Sequence, residues 1–283
     1  MKATLALFAA YPPLGMALES LALTLLLVGL RLAQRRLALS AESSRKLFHI
    51  GGGLSTLAFP WLFHSPWPVL ALMPLTIGAF LALKYLRGLR RGLGNVLYGV
   101  SRRSLGEVYM PLSLSLLWLL SGGDALSFVM PALVLTLADP AAALVGMRYG
   151  RKQYAGVDGA KSLEGSCACG LVATACVAIP LAAFGGATPA HALALALTVA
   201  LIVTLAEAVA WRGLDNLLIP LVAFGALRAL APLPAAALIL PCALTVLVAV
   251  VAYARRHQPA TSPAQTRAAP IAAGPRAPLL PHW

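Results

Sequence analysis

Charge is scarce in this sequence, and negative charge is the scarcest kind. Only 11% of the 283 residues are charged, and nine of them are Asp or Glu. Water-soluble domains carry roughly a quarter charged residues, so the composition argues against a soluble protein. Hydrophobic residues instead make up 60% of the chain, with a mean hydropathy of +0.83. We therefore expect an integral membrane protein that consists of a single membrane domain.

Cysteine is also rare. The four cysteines, Cys167, Cys169, Cys176 and Cys242, all lie in apolar stretches. Cys167 and Cys169 form one C-x-C pair without the second pair that a zinc site of this kind needs. The interpretation that remains is packing of small apolar side chains.

Long apolar runs, broken by Gly, Pro and charge, fill most of the remaining sequence. A membrane-spanning helix needs roughly 20 such residues, and the runs predict an all-α polytopic bundle of about nine spans (range seven to nine) within residues 1–253. The predicted spans are 14–33, 47–64, 67–86, 107–121, 125–147, 164–184, 191–211, 215–230 and 233–253. Residues 254–283 are rich in Pro, Ala and Arg, which predicts a disordered cytoplasmic tail.

Lys and Arg are concentrated in alternate connections between these spans. The intervening connections HSPWP, SGGDA and GGATPAH contain neither residue. Cytoplasmic loops carry the excess of Lys and Arg, which predicts an outside N-terminus and a cytoplasmic C-terminus. Anionic lipid explains the basic loops, and no nucleic-acid motif accompanies them, so we expect no nucleic-acid partner.

Five of the nine acidic residues lie at or near the predicted cytoplasmic ends of spans. They are Glu107, Asp139, Glu164, Glu207 and Asp215. Ionisable groups in a membrane segment are costly and usually face a cavity or a partner. Carboxylates hold Mg²⁺, and Mg²⁺ with Lys and Arg holds a polyphosphate. The pattern favours a cytoplasm-facing polar site, although each acid alone is equally explained by pairing with a loop arginine.

The segment LADPAAALVGMRYG, residues 137–150, places a carboxylate and a proline inside an apolar run. On a helix, one face would carry Asp139, Ala142, Ala143, Gly146 and Gly150. Packing of small residues explains the Ala and Gly but not the Asp. The row is expected to lie against a nucleotide or a neighbouring helix. Pro140 cannot donate a backbone N–H, so it either frees a carbonyl near Asp139 or kinks the helix.

The next segment, RKQYAGVDGAKSLEG at 151–165, is a predicted loop before a helix. Glycine-rich backbone beside Lys161 and a helix N-terminus is typical of a phosphate cradle. The G-x-x-x-x-G-K-[ST] spacing of a P-loop is absent.

These two segments together resemble the CTP-binding motif of the dolichol kinase and phytol kinase family. The first follows D-x-x-A-x-x-x-G-x-x-x-G from Asp139, and the second reads Lys161-Ser162-Leu163-Glu164-Gly165. The family has Lys-Lys-Thr-x-Glu-Gly, so Ala160 stands where its first lysine would be, and the loop is about one residue longer.

Three further segments resemble the same family, in the same order. SRKLFH at 44–49 is similar to its Arg-Lys-x-x-His segment, and GEVYMP at 106–111 to its Gly-Glu-x-x-x-Pro segment. Glu207 with GLDNLLIP at 213–220 is similar to its late Glu and Asp-Asn-x-x-x-Pro segment. The resemblance runs from about residue 44 to 220, which is most of the chain.

The resemblance implies a kinase that transfers the γ-phosphate of CTP to the hydroxyl of a membrane lipid alcohol. Phytol, farnesol, dolichol or another polyprenol, and diacylglycerol all present such a hydroxyl. The implied place is a bacterial inner membrane, with the active site facing the cytoplasm. The family is related to the phosphatidate cytidylyltransferases.

The resemblance and the residue chemistry together give each candidate a role. The expected Mg²⁺ ligands are Asp139, Glu207, Asp215 and Asn216. The expected nucleotide-binding residues are Arg45, Lys46, His49, Ala142, Gly146, Gly150, Lys161, Ser162, Glu164 and Gly165. Catalysis is expected from Asp139 and Lys161, with Asp215 or Glu107 orienting the lipid hydroxyl.

Two other functions compete with the kinase. A CDP-diacylglycerol synthase would share CTP, Mg²⁺ and the membrane, but its His-Gly-Gly signature is absent from this sequence. A transporter would place buried acids near the membrane midplane and show an inverted repeat. The predicted clustering of acids in one leaflet and the lack of a convincing repeat disfavour it.

Overall fold

The computed structural model describes residues 8, 10–99, 105–156 and 159–256. Helices dominate this part of the chain, which confirms the predicted all-α polytopic helical bundle. From residue 257 onward, the predicted tail lies outside the described residues.

Most of the helices follow the predicted spans. In chain order they are α1 (Pro12–Leu37), α2 (Ala41–Thr56), α3 (Phe59–Leu62), α4 (Trp67–Tyr85), α5 (Arg87–Arg91), α6 (Asn95–Tyr98), α7 (Gly106–Ser121), α8 (Ala125–Leu133), α9 (Asp139–Tyr149), α10 (Leu163–Phe184), α11 (Pro189–Val209), α12 (Asp215–Leu230) and α13 (Ile239–Arg256). A π-helical segment, Val134–Ala138, joins α8 to α9, and a 3-10 turn, Ala235–Leu238, precedes α13. Strands β1 (Gln153–Gly156) and β2 (Gly159–Ser162) form one hairpin.

Within the described residues, six helical stretches are long and apolar enough to cross a bilayer. They are α1, α4, the continuous stretch Ala125–Tyr149, α10, α11 and Ala235–Ala252. The helices α2, α7 and α12 occupy three more predicted spans but have 16 residues each. That is shorter than the roughly 20 residues of a full span, so the number of spans and their orientation stay predictions.

Two segments differ from the sequence-based prediction. Helix α2 begins at Ala41, because the Ser40 side chain accepts a hydrogen bond from the Ser43 backbone N–H at 3.0 Å and caps the helix. Arg45 and Lys46 therefore lie one turn inside a helix and not at its start. The predicted loop 151–165 contains the antiparallel hairpin β1–β2, in which Tyr154 pairs with Lys161.

The continuous stretch Ala125–Tyr149 lies at the centre of the bundle. Its apolar window is 61% buried, whereas that of α1 is 17% buried. Leu135 of this stretch is fully buried, as are Val177 of α10, Val199 of α11 and Ile219 of α12. These four helices form one continuous apolar core, and α1 and α13 lie at its periphery.

A second, smaller core joins α1, α2, α4 and α6. Leu27, Phe48, Leu83 and Val96 are its buried members. The rings of Phe48 and Phe80 meet edge to face, with centroids 5.8 Å apart, and connect α2 to α4. A cavity separates this smaller core from α7 and α9.

Glycines allow α9 to lie directly against the start of α10. A Cβ atom on Gly165 would lie 2.7 Å from the Ala142 backbone oxygen, and one on Gly146 would lie 3.1 Å from Ser162 Oγ. The neighbouring helix, one of the two neighbours predicted for this small-residue row, is therefore present.

We predict that Gly165→Ala lowers the free energy of unfolding by about 1–3 kcal/mol, because the added methyl overpacks this contact. The thermal midpoint of the detergent-solubilised protein measures the loss. Gly78→Ala is the matched control, because a Cβ atom on this helical glycine meets nothing within 4 Å. We expect that control to gain roughly 0.5–1 kcal/mol from helix propensity. An equal loss in both variants would contradict the prediction.

Candidate functional site

A cavity of about 1240 Å³ lies among α1, α2, α4, α7 and α9. Its lining is mostly charged at one end and mostly apolar at the other. The charged end gathers side chains from α2, α9, β2, α11 and α12: Lys46, His49, Asp139, Lys161, Glu207 and Asp215. The sequence places these residues up to 169 positions apart, between 46 and 215, and the fold brings them to one cavity.

Lys46 and Asp139 form a buried ion pair at this end. Lys46 Nζ donates to Asp139 Oδ2 at 2.8 Å, and the two residues are 6% and 4% exposed. Because both groups are largely buried, each charge depends on the other for compensation. Arg45, which points to the same cavity, contacts Glu42 at 2.6 Å.

His49 extends this pair through a backbone carbonyl. Its Nε2 donates to the Leu135 backbone oxygen at 3.0 Å and lies 4.0 Å from Asp139 Oδ2. The π-helical segment shifts the helical hydrogen bonds by one residue, so Pro140 stands where the donor to Leu135 would be. Since proline has no N–H, the carbonyl is available to His49. The free carbonyl predicted near Asp139 is therefore present, and it accepts a hydrogen bond from the His49 side chain.

The β1–β2 hairpin places Lys161 beside the end of α11. Lys161 Nζ donates to Glu207 Oε1 at 2.6 Å and also to the Glu207 backbone oxygen. The next residue, Ser162, caps α10 by accepting from the Gly165 backbone N–H at 3.1 Å. A lysine thus lies directly before a capped helix N-terminus, which is the arrangement expected of a phosphate cradle.

Asp215 differs from the other two carboxylates of the charged end. Among the described residues, no Lys, Arg or His contacts its carboxylate within 4.0 Å. Its Oδ1 accepts from the Asn216 backbone N–H at 3.0 Å. The Asn216 side chain instead donates to the Gly106 backbone oxygen at 3.1 Å and ties α12 to α7.

The two remaining predicted carboxylates have separate partners. Glu107 lines the cavity and accepts from Lys84, whose Nζ also lies 5.5 Å from the centre of the Tyr98 ring. Glu164 does not line the cavity, and its carboxylate accepts from the Lys152 backbone N–H at 3.2 Å. That bond fixes the start of the hairpin.

Most of the predicted site residues do meet at the cavity. Those that line it are Arg45, Lys46, His49, Glu107, Asp139, Ala142, Gly146, Gly150, Lys161, Ser162, Gly165, Glu207, Asp215 and Asn216. The sequence analysis missed Lys84 and Arg212, which also line it. Both belong to the basic residues at span ends and in connections that served only to predict topology, and nothing in their local sequence distinguishes them from the others.

The predicted metal ligands do not form one cage. Within the described part of the chain, no group of three or more His, Cys, Asp and Glu is arranged to hold a metal. Asp139 and Glu207 each hold a lysine ammonium group at 2.6–2.8 Å instead. Mg²⁺ in nucleotide sites needs only one or two carboxylates in addition to phosphate oxygens. Two carboxylates that already bind a cation each fit that requirement.

Comparison with curated proteins finds a phytol kinase from Synechocystis sp. It is 33% identical to this chain over 189 residues, which cover 66% of this chain and 78% of that protein. No family model matches the chain, and no solved structure matches it.

We predict that Lys46→Met destabilises the protein by about 3–5 kcal/mol, because it leaves the buried Asp139 charge without a partner. The double variant Lys46→Met/Asp139→Asn removes both charges and is expected to recover most of the loss. Thermal unfolding in detergent measures both variants. The ion pair would not be important if the single variant were as stable as the unmodified protein, or if the double variant recovered nothing.

Proposed function

The chain belongs to the phytol kinase family of membrane lipid-alcohol kinases, and we propose that it transfers the γ-phosphate of CTP to the hydroxyl of a membrane lipid alcohol. One observation carries the proposal: a single cavity has a charged end that suits a polyphosphate and an apolar end that suits a lipid tail. A substrate hydroxyl at the boundary of the two ends would meet the phosphate there.

The charged end supplies the cations that a triphosphate requires. Lys46 and Lys161 come from different elements, and each is held in place by a carboxylate before nucleotide binds. Both lysines have flexible stems and several donors, so they can turn from Asp139 and Glu207 to phosphate oxygens. We propose CTP as the donor because the segments that resemble the family's CTP motif form this end of the cavity.

Mg²⁺ would accompany the triphosphate and neutralise the charge that develops on its oxygens. Asp139 and Glu207 are its proposed ligands, because each carboxylate already binds a cation at 2.6–2.8 Å. In this arrangement the lysines neutralise phosphate oxygens when the carboxylates bind the metal.

Asp215 is the carboxylate proposed to orient the lipid hydroxyl. The sequence left Asp215 and Glu107 as alternatives, and Glu107 is paired with Lys84. Asp215, with no cation within 4.0 Å among the described residues, can accept a hydrogen bond from a substrate hydroxyl. The alcohol oxygen then bonds to the γ-phosphorus, the bond from that phosphorus to the β,γ-bridging oxygen breaks, and the hydroxyl proton passes to the carboxylate. CDP leaves.

We predict that the purified protein in lipid nanodiscs converts CTP and phytol to CDP and phytyl monophosphate. Parallel reactions with ATP, GTP and UTP test the donor, and mass spectrometry identifies the products. Release of pyrophosphate with a CDP-lipid would instead show a cytidylyltransferase and contradict the proposal. Faster turnover with ATP would leave the kinase intact and reject CTP.

We also predict that Asp215→Asn lowers kcat by about 10²–10⁴-fold, the usual loss when a positioned acid or base is removed. The KM for nucleotide should change little, whereas Lys161→Met should raise it. Asp124→Asn is the matched control, because it removes a carboxylate outside the cavity and asparagine caps α8 equally well. Full activity of Asp215→Asn would reject the role of Asp215.

A further inference from the structure

The apolar end of the cavity ends against packed side chains. We call it the tail chamber, and its lining residues include Phe59, Val69, Leu72, Thr76, Met110 and Leu114. Along α4 the lining begins at Val69, and along α7 it ends at Ser115. No described residue that lies deeper on α3, α4 or α7 lines the cavity. The lining therefore ends part-way along each of these three helices.

Packed aromatic rings form the wall behind that bottom. The Phe59 ring contacts Phe63, with centroids 5.1 Å apart, and stacks on Phe128 at 5.9 Å. Trp118 meets Phe128 edge to face at 5.4 Å. Phe63 and Phe128 are 1% and 0% exposed. Since packed interiors contain few voids, a tail that reaches Phe59 meets closely packed rings behind it.

A buried carboxyl group also lines this end of the cavity. Glu19 of α1 is 4% exposed, lines the cavity, and accepts a hydrogen bond from Ser55 Oγ at 2.7 Å. A hydrocarbon chain packed against this group would remove it from other polar contacts, which is unfavourable. Glu19 thus discourages a long tail from turning toward α1.

The depth of the chamber follows from helix geometry. Lys84 lies at the charged end of α4 and Val69 at the bottom, and at 1.5 Å per residue the rise between them is roughly 22 Å. From Lys46 to Thr56 on α2 the rise is about 15 Å. Both values are below the roughly 30 Å thickness of the hydrocarbon core. The chamber therefore holds a tail shorter than one that crosses the bilayer.

We infer that Phe59 and Val69 set the upper limit on the tail length of the acceptor, so the protein phosphorylates compact isoprenoid alcohols such as farnesol and phytol and excludes long polyprenols. The inference rests on the proposed lipid-alcohol kinase activity and adds a length limit to it. Phe59 and Val69 are specificity-determining residues in this account and take no part in the chemistry.

The test compares kcat/KM for farnesol, phytol and a long polyprenol. The unmodified protein should prefer phytol to the polyprenol by at least about 10-fold, a ratio within reach of apolar-pocket discrimination. Phe59→Ala and the milder Val69→Ala should each reduce that preference. Thr76→Phe places a ring halfway down the chamber and should lower kcat/KM for phytol much more than for farnesol.

Phe63→Leu is the control, because Phe63 lies behind the wall and does not line the cavity. It should leave the order of the three alcohols unchanged, and thermal midpoints establish that every variant is folded. Equal use of phytol and the polyprenol by the unmodified protein, or an equal loss for farnesol and phytol in folded Thr76→Phe, would overturn the length limit. If no alcohol were phosphorylated, the proposed function itself would fail.

Discussion

The buried pair between Lys46 and Asp139 is the interaction on which the site depends. A buried charge is costly when no opposite charge compensates it, and α2 supplies a cation to the α9 carboxylate across 93 positions of sequence. The pair fixes the distance between the two helices at the charged end of the cavity. His49, one turn further along α2, then reaches the Leu135 carbonyl.

Pairing with cations also explains how several of the few acidic residues can lie close together. Asp139 and Glu207 each hold a lysine, so the resting site carries little net charge despite its many ionised groups. In the proposed reaction, a magnesium triphosphate would exchange these partners without leaving either carboxylate or either lysine uncompensated. The low dielectric of the surroundings would strengthen the new contacts as well as the old ones.

The helical bundle and most of the site residues could be predicted from the sequence, because apolar runs and rare acids are strong local signals. The partners could not be predicted. Arg45 and His49 share a helical face by spacing, yet Lys46 is the residue that reaches Asp139, because the direction of α2 is set by its contacts with α1 and the π-helical segment. Lys84 resembled any other cation at the end of a span, and only the fold places it beside Glu107.

The effect of Pro140 on the site depends on the helical structure around it. The missing N–H follows from the sequence alone, but its consequence depends on the π-helical register before it. That register exposes the Leu135 carbonyl to His49 and leaves the Asp139 side chain beside Lys46. Pro140 and Asp139 therefore act together. Pro140 leaves a backbone oxygen that holds His49, and Asp139 holds Lys46. Lys46 and His49 are thus both held in place by the protein itself, and such preorganisation is what phosphoryl transfer requires.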